Sequence, residues 1–270
     1  MIISERIGFI GAGKMAEALI RAMLEKGLST IENISASDKV IERREYIKKE
    51  TDITVFKSNI DTVKNSDILF LSVKPQDFNA ILPEIKDYVD SDKLIISIAA
   101  GIKISFINNI IPNAKVIRVM PNILCLVGEM AGAYCIGNNV KENDISIAHS
   151  LLSSAGKVFL VKEELLDAVT GLSGSGPAFV AYLIMSFIQA GKELGIEEYI
   201  CRELTLQTFL GSAKLLQENN LSEESLIKMV KSPGGTTEAG MNILENSELK
   251  NVIIKTITRA TERSKELGKK

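Results

Sequence analysis

The stretch that decides the fold reads Ile7-Gly8-Phe9-Ile10-Gly11-Ala12-Gly13-Lys14-Met15-Ala16. A short apolar run comes first, then two glycines around Ala12, and then the start of an amphipathic stretch. This order predicts a buried strand, a tight turn and a helix in direct succession. Gly11 permits the turn, and Ala16 is small enough for the helix to pack closely on the strand. The chain therefore begins with the first unit of an α/β fold.

The same stretch matches the G-x-G-x-x-A form of the dinucleotide-binding fingerprint. Gly13 would let the backbone approach a pyrophosphate, and the helix that starts near Lys14 would present free amides and its positive dipole end to the phosphates. The fingerprint is short, but it lies between a predicted strand and a predicted helix, which is the context it requires. We therefore predict a nicotinamide dinucleotide site here; a purely structural glycine turn is the alternative.

Apolar β-branched runs alternate with amphipathic stretches through the first half of the chain. The predicted strands are 7–10, 31–36, 54–56, 68–72, 94–98 and 115–119, and the predicted helices are 14–26, 41–49 and 78–89. Continuous apolar strands between helices indicate a parallel sheet that is covered on both faces. Segments 131–136 and 157–161, around a helix near 145–154, are predicted as extra strands at one sheet edge.

The second half shows helical periodicity and no convincing strand from about residue 163 onward. Breaks in the periodicity are predicted at 171–177, Gly195, 219–220 and 232–235. We therefore expect a Rossmann-type dinucleotide-binding domain over 1–165 and an all-helical domain over 166–270. The predicted fold class is α/β, with a doubly wound sheet followed by helices.

Composition excludes several classes of function. The 270 residues carry a net charge of −2, with 5% aromatic residues and no Trp, so neither a basic field nor a base-stacking surface for nucleic acid is predicted. The three cysteines, Cys125, Cys135 and Cys201, are widely spaced and fit reduced buried thiols better than disulfides or a metal site. No secretory leader is recognised, so a cytoplasmic location is expected.

One uncharged window, 170–191, raises the question of a membrane span. Gly and Pro residues up to Pro177 leave about fourteen residues for a single apolar helix, short of the ~20 needed to cross a bilayer. An apolar helix in a soluble protein must be buried. We therefore expect a core or subunit-interface helix and no membrane association.

The end of the second strand bears on the choice between NADP and NAD. An acid there binds the ribose hydroxyls of NAD, whereas small or basic residues accommodate the 2′-phosphate of NADP. Asp38 argues for NAD, and Ser37 and Lys39 argue for NADP, so these residues leave the choice open. Arg43 and Arg44 fall within a predicted helix and are interpreted as a solvated face.

Two further strand ends point to the same ligand. Ser72-Val73-Lys74-Pro75 and Ala99-Ala100-Gly101 each follow an apolar strand. In open parallel sheets ligands bind outside the carboxyl ends of the strands. A small-residue turn and a strand-terminal lysine there suit the remainder of the dinucleotide, although Lys74 could also be a plain surface lysine.

The chain has a single histidine, His149, which lies inside an amphipathic run and away from the predicted cofactor site. Dehydrogenases of 2-hydroxy acids need a histidine or a lysine–carboxylate pair to take the hydroxyl proton. A substrate that needs little proton transfer is therefore favoured. A protonated imine is one, because it is already electrophilic at carbon.

Two segments in the helical half are interpreted as ligand loops. The first is Thr170-Gly171-Leu172-Ser173-Gly174-Ser175-Gly176-Pro177-Ala178, and the second is Ser232-Pro233-Gly234-Gly235-Thr236-Thr237-Glu238. In the second, Thr236 or Thr237 could cap the helix that follows. A glycine-flanked helix start with two hydroxyls is equally suited to a small carboxylate.

Together these motifs resemble the pyrroline-5-carboxylate reductases, which make proline by reducing a cyclic imine with NAD(P)H. The resemblance spans nearly the whole chain, and the run Asp167-Ala168-Val169-Thr170-Gly171-Leu172-Ser173-Gly174-Ser175-Gly176-Pro177-Ala178 is its most specific part. It implies that the helical domain also mediates dimerisation. It also implies a cofactor site made of Gly11, Gly13, Lys14, Met15, Ser37, Asn59, Val73, Lys74, Pro75, Ala100 and Gly101.

The resemblance further implies the substrate site and the chemistry. The substrate residues would be Ser175, Gly234, Gly235, Thr236 and Thr237, with Thr237 and Lys74 as catalytic residues. The substrate would be 1-pyrroline-5-carboxylate, the product L-proline, and no metal would take part. NADPH is favoured over NADH, although Asp38 argues against that preference, and Thr236 stands where the family often has Ala. A homodimer unit, able to build a larger homo-oligomer, would interlock the helical domains.

Two other functions remain as alternatives. A β-hydroxyacid dehydrogenase shares this domain order and resembles the chain around Gly174-Ser175-Gly176. Its catalytic lysine would fall near Tyr182, yet no Lys occurs in 177–191. The β-hydroxyacid dehydrogenase therefore ranks second, after the reductase. A nicotinamide-binding redox sensor without catalysis is the other alternative, and only the paired ligand loops argue against it.

Overall fold

The computed structural model describes residues 2–268, and its central feature is one eight-stranded sheet with the order β3-β2-β1-β4-β5-β6-β7-β8. Strands β1 to β6 run parallel, β7 runs antiparallel to β6, and β8 is parallel to β7. The strands are β1 (Ile7–Ile10), β2 (Ile34–Ser37), β3 (Thr54–Phe56), β4 (Ile68–Leu71), β5 (Leu94–Ser97), β6 (Lys115–Met120), β7 (Met130–Ile136) and β8 (Gly156–Leu160). The strand order reverses between β1 and β4, and ligands bind at such a switch point.

Seven helices accompany the sheet within residues 2–175: α1 (Lys14–Glu25), α2 (Ile41–Thr51), α3 (Asn59–Lys64), α4 (Phe78–Ile85), α5 (Ile104–Ile110), α6 (Glu142–Ser153) and α7 (Leu166–Val169). Apolar side chains of the central strands are fully buried, and the rings of Phe9 and Phe70 stack with centroids 4.5 Å apart. Ala16 on α1 is also fully buried. Its small side chain allows the close helix–strand contact that the fingerprint predicts.

The predicted α/β class and the sheet are confirmed, with corrections at single elements. All eight predicted strands are present, but the predicted strand 31–36 is wrong in its first half, since Ile31–Asn33 forms a 3-10 turn and β2 begins at Ile34. Glu32 and Asn33 are polar and lie outside the buried part of the sheet. Helices α3 and α5 are only six and seven residues long and were not predicted. They are too short to show a full amphipathic period.

The chain contacts divide the molecule into two compact units. One contains the residues up to Ser175 together with those from Thr258, and the other is Gly176–Ile257. The later helices are α8 (Gly176–Glu193), α9 (Glu198–Asn219), α10 (Glu223–Val230), α11 (Thr236–Glu245) and α12 (Leu249–Leu267). No strand occurs within the described part of the chain from residue 163 to 268, as expected. The domain boundary at 165/166 stays a prediction.

The predicted interruption at 171–177 is present, since α7 ends at Val169 and α8 begins at Gly176, but the segment between them is not a loop. Thr170–Gly174 forms a π-helical turn in which the Ser175 amide donates to the Thr170 carbonyl at 2.9 Å. Gly171 is buried, and a Cβ on Gly174 would lie 2.8 Å from the Met120 Cε. These glycines allow close packing of the π-helical turn.

Of the two expectations for the apolar window, a core helix or a subunit-interface helix, the structure contradicts the core helix. The most apolar window of the helical stretch Glu163–Glu193 has a mean hydropathy of 1.4, and by length and composition this stretch is sufficient to cross a membrane. Only 6% of that window is buried within the described residues. On α8, apolar side chains such as Val180, Tyr182, Met185 and Phe187 are exposed. The helix is thus apolar, but residues 2–268 of this chain do not bury it.

Candidate active site

The turn after β1 is closed tightly around Gly11. Its φ is +92°, and a Cβ there would lie 2.7 Å from Val73 Cγ1 and 2.8 Å from the Ser72 carbonyl oxygen. The Gly11 amide donates to the Ser37 carbonyl at 2.8 Å, which joins the ends of β1 and β2. Both the backbone conformation and the space available therefore require glycine.

Gly13 differs from Gly11 in that its surroundings are open. It is the N-cap of α1 and makes no side-chain cap hydrogen bond, and an added Cβ would meet no atom within 4 Å. The first amides of α1, from Lys14 onward, therefore remain available beside open space. Free amides and the positive end of the helix dipole favour a phosphate there. Met15 follows half-buried, with its Sδ 3.1 Å from Cys125 Sγ.

Ser72 supports the same turn from the end of β4, although we did not predict a role for it. Its Oγ lies 2.6 Å from the Gly11 carbonyl oxygen and 3.0 Å from the Ile10 carbonyl oxygen. A small hydroxyl residue directly after an apolar strand was the available signal. The neighbouring residue, Val73, contacts the position where a Gly11 Cβ would be. The end of β4 thus shapes the glycine turn.

Charged side chains after β2 bind the turn directly, and this corrects the solvated-face interpretation. Asp38 Oδ2 accepts from the Ala12 amide at 2.9 Å, and Asp38 Oδ1 accepts from the Val40 amide at 2.9 Å. Arg43 Nε donates to the Ala12 carbonyl, and Arg44 Nη1 donates to the Asp38 carbonyl at 2.7 Å. Both arginines are therefore held by acceptors of this chain.

Two predicted cofactor residues lie together: Ser37 is the last residue of β2, and Asn59 is the first residue of α3. Ser37 is fully buried, and its Oγ donates to Asn59 Oδ1 at 2.9 Å. Asn59 Nδ2 in turn donates to Glu84 Oε2 at 2.9 Å. The neighbouring Lys39 is exposed and forms a surface ion pair with Asp77 at 3.2 Å. The Asn59 amide is therefore oriented by partners on both sides.

The remaining predicted cofactor residues lie at the carboxyl ends of β4 and β5. Lys74 is exposed and precedes a short 3-10 turn over Pro75–Asp77. Pro75, Ala100 and Gly101 share a cleft of about 650 Å³. Lys103 and Phe106 also line this cleft. Strand ends separated in sequence thus contribute to one concave surface, as expected for an open parallel sheet.

The second glycine turn lies before α11. Gly234 has a φ of +68°, Gly235 is the N-cap, and the Gly234 amide donates to Glu238 Oε2 at 2.8 Å. The prediction that Thr236 or Thr237 caps the helix is wrong, since α11 begins at Thr236 and the cap residue has no side chain. Within residues 2–268 neither threonine hydroxyl has a hydrogen-bond partner. Both hydroxyls remain available to a ligand.

Asn122 fixes the π-helical turn that precedes the predicted substrate residue Ser175. Asn122 is 4% exposed, its Nδ2 donates to the Ser173 carbonyl at 3.1 Å, and its Oδ1 accepts from the Ala131 amide at 3.1 Å. The Ser173 hydroxyl donates to the Ala131 carbonyl. We did not predict this role for Asn122, because its partners are distant in sequence. π-Helical turns are frequent at functional sites.

The electrostatics around the turn come from paired charges and buried thiols. Burial raises the pKa of Glu17, but hydrogen bonds from Arg43 and Arg21 outweigh it, so the pKa lies below its usual range. Burial raises the pKa of Cys135 to about 11 and also raises the pKa of Cys125. The three cysteines are free and buried, as predicted. The carboxylate of Glu17 stays ionised and the two thiols stay protonated at neutral pH.

The fold and the turn define a dinucleotide-binding protein of the Rossmann class. Residues 163–267 match the family model described as "Pyrroline-5-carboxylate reductase dimerisation". Residues 6–101 match the model described as "NADP oxidoreductase coenzyme F420-dependent". The chain is 40% identical to the pyrroline-5-carboxylate reductase of Methanosarcina acetivorans, over 99% of each chain.

Solved structures agree with these matches. A pyrroline-5-carboxylate reductase of Coxiella burnetii superposes with a TM-score of 0.94 at 29% identity, covering 98% of this chain and 99% of the other. The Plasmodium falciparum pyrroline carboxylate reductase, described with NADP bound, gives a TM-score of 0.86 at 32% identity, covering 99% and 100%. The chain belongs to the pyrroline-5-carboxylate reductase family, which confirms the resemblance seen in the sequence.

Proposed function

We propose that this protein reduces the C=N bond of 1-pyrroline-5-carboxylate to L-proline with a reduced nicotinamide dinucleotide. The observation that carries the proposal is a pair of helix N-termini, on α1 and α11, each preceded by a glycine turn. The first leaves free amides beside open space at Gly13, and the second leaves the hydroxyls of Thr236 and Thr237 without partners within the described residues. Anions bind at such helix ends, so one suits a pyrophosphate and the other a small carboxylate.

NADPH is the proposed cofactor, in preference to NADH. The open amides at Gly13 fit a pyrophosphate, and the predicted cofactor residues Lys14, Met15, Ser37 and Asn59 lie on elements that border the same turn. Lys39, exposed at the end of β2, can meet a 2′-phosphate because its ion pair with Asp77 is at the surface and therefore weak. Membership in a family with an NADP-bound relative supports this choice.

In the proposed reaction the bound dinucleotide would supply a hydride to the imine carbon of the N-protonated ring, whose nitrogen keeps that proton in the product. Thr237 holds the ring nitrogen by a hydrogen bond, and Gly234, Gly235 and Thr236 hold the carboxylate at the start of α11. Ser175 orients the substrate, and Lys74 places a positive charge beside the cofactor. Catalysis then comes from positioning and from donors directed at the anionic group, without a metal.

The proposed assembly is a homodimer unit that can build a larger homo-oligomer. The apolar side chains exposed on α8 need cover, and the matched family model is described as a dimerisation region. A second copy of this chain is the proposed cover for α8, and we propose no membrane or nucleic-acid partner. A cytoplasmic location is proposed with it.

The test is to mix the protein with 1-pyrroline-5-carboxylate and either NADPH or NADH and to follow the absorbance of the reduced nicotinamide. We expect oxidation of both, faster with NADPH, and formation of proline. Turnover of 3-hydroxy acids without turnover of the imine would favour the β-hydroxyacid dehydrogenase and overturn the proposal. Tight binding of NADPH with no turnover of any substrate would favour the redox sensor.

A further inference from the structure

The peptide groups of the phosphate-binding turn are held from outside the turn. At its centre, the Ala12 amide donates to Asp38 Oδ2 at 2.9 Å, and the Ala12 carbonyl accepts from Arg43 Nε. Asp38 directly follows β2, which is the neighbour of β1 in the sheet, and Arg43 lies on α2. The orientation of the Gly11–Ala12 and Ala12–Gly13 peptide groups therefore depends on two charged side chains and not only on the glycines beside Ala12.

The carboxylate of Asp38 is already committed to backbone amides. Its second oxygen, Oδ1, accepts from the Val40 amide at 2.9 Å, and Arg44 Nη1 donates to the carbonyl of Asp38 at 2.7 Å. Hydrogen bonds from amides to an ionised carboxylate are shorter and stronger than neutral ones. Asp38 is thereby fixed in a geometry that connects the ends of β1 and β2, in contrast to an acid that is free to bind a ribose.

Arg43 is committed to this chain as well. Its Nη2 donates to Glu17 Oε2 at 2.6 Å, its guanidinium lies 4.8 Å from the ring centre of Tyr46, and its side chain is only 22% exposed. Glu17 is held in turn by Arg21 at 2.9 Å. A guanidinium with these partners acts on the turn through Ala12 and is not a free receptor for a 2′-phosphate.

We propose that Asp38 and Arg43 clamp the two peptide groups that flank Ala12 and thereby position the phosphate-binding turn equally for NADPH and NADH. Both are positioning residues, since they act through Ala12, and the clamp does not discriminate between the two cofactors. This assignment rests on the proposed function, because it takes the turn to be the pyrophosphate site. It differs from the usual role of an acid after the second strand, which is to select NAD through the ribose.

The experiment measures dissociation constants of NADPH and NADH by fluorescence titration for the full-length protein and the variants Asp38→Ala, Arg43→Met and the double variant. We expect each single variant to weaken both cofactors by about tenfold, with the NADPH/NADH affinity ratio changed by less than about twofold. The double variant is expected to be little worse than either single one, because the two peptide groups that the changes release meet at the same residue, Ala12, and loss of either hydrogen bond already frees it. Glu42→Gln removes a nearby exposed charge outside the clamp and should leave both constants unchanged.

Three outcomes would overturn the clamp. In the first, Asp38→Ala weakens NADH alone or strengthens NADPH, which would make Asp38 a cofactor-selecting residue. In the second, wild type binds both cofactors and the variants bind equally well. In the third, losses in the double variant multiply, which would mean that the two residues act independently. Thermal denaturation of each variant separates a general loss of fold from these results, and absence of cofactor binding by wild type would instead refute the proposed function.

Discussion

The two glycine turns of this protein precede helices α1 and α11 and are built in different ways. The turn at Gly11 is fixed by groups far away in sequence, among them the Ser37 carbonyl, Asp38 and Ser72. Among the described residues 2–268, the hydrogen bonds that fix the turn at Gly234 come from near neighbours: the Gly235 amide donates to the Ser232 carbonyl at 3.0 Å, and Glu238 accepts from the Gly234 amide.

This difference separates a preformed site from a locally shaped one. The tertiary fold determines the first turn, so its backbone geometry is preformed. The second turn takes its shape from its own sequence, and its threonine hydroxyls have no partners within the described residues. Its contribution to catalysis should therefore depend on single side chains, whereas the first turn should depend on backbone geometry.

The largest expected effect is that of Thr237→Ala at the second turn. Removing the proposed partner of the ring nitrogen should lower kcat by about 100-fold, the usual scale for one donor in an oxyanion-hole type of site. Cofactor affinity should stay the same, since the first turn is untouched. Thr236→Ala should cost much less, because the backbone amide remains. Steady-state kinetics and NADPH titration measure both, and equal losses in the two variants would remove the special role of Thr237.

The second-largest expected effect is that of Gly11→Ala on cofactor binding. The added Cβ would lie 2.7 Å from Val73 Cγ1 at a φ of +92°, so the turn must distort. We expect the dissociation constants of NADPH and NADH to rise by at least about tenfold. The matched control is Gly27→Ala, which has a φ of +62° and no atom within 4 Å of the new Cβ. It should cost about 1 kcal/mol of stability and leave binding unchanged; weakened binding in this control would show that strain alone explains the loss.

A smaller effect is expected for Glu17→Gln, which loosens Arg43 beside the first turn. The pKa of Glu17 is lowered in the folded state, so its ionised form contributes stability above the unfolded pKa and loses that contribution as pH falls through the folded pKa. The variant should be less stable by about 1 kcal/mol at pH 7, with the difference shrinking below about pH 5. Urea denaturation at several pH values measures this, and a difference that is independent of pH would exclude the charge as its cause.

The smallest effect is expected for thiol alkylation in the unit that holds the first turn. Because burial raises the pKa of Cys135 to about 11 and also raises the pKa of Cys125, both thiols should stay protonated at pH 8. Iodoacetamide should leave both unmodified in the native protein and modify them after denaturation in urea. Rapid modification of either one in the native state, located by peptide mass spectrometry, would contradict the burial that keeps these thiols protonated.

The sheet could be predicted from the sequence, because continuous apolar runs between amphipathic stretches are typical of strands that are covered on both faces. The predicted strands also gave the positions of the strand ends. These positions located the glycine turn and the part of the cleft at Ala100 and Gly101. The short helices α3 and α5 were not predicted because they show no complete amphipathic period. The π-helical turn at Thr170–Gly174 was mistaken for a loop, since glycine and serine more often mark loops than close helix packing.

The side chains that support the site could not be predicted from the sequence, for a different reason. Asp38 meets Ala12 because β2 lies beside β1, and Asn122 meets Ser173 across 51 residues. Such pairs depend on which strands are neighbours, a property of the tertiary fold. The nature of the ligand could be predicted from local motifs, but the residues that position those motifs could not.

The long-range closure of the first turn has a consequence for protein synthesis. β1 pairs with β2 on one side and β4 on the other, so a nascent chain that has not yet released Ser72 from the ribosome lacks one wall of the first glycine turn. β1 is thus translated before both of its neighbours and completes its pairing only when β4 has emerged. On the proposed function, a dinucleotide would stabilise the growing chain only after that point, and at a hundredfold excess over Kd such stabilisation would reach about 2.7 kcal/mol.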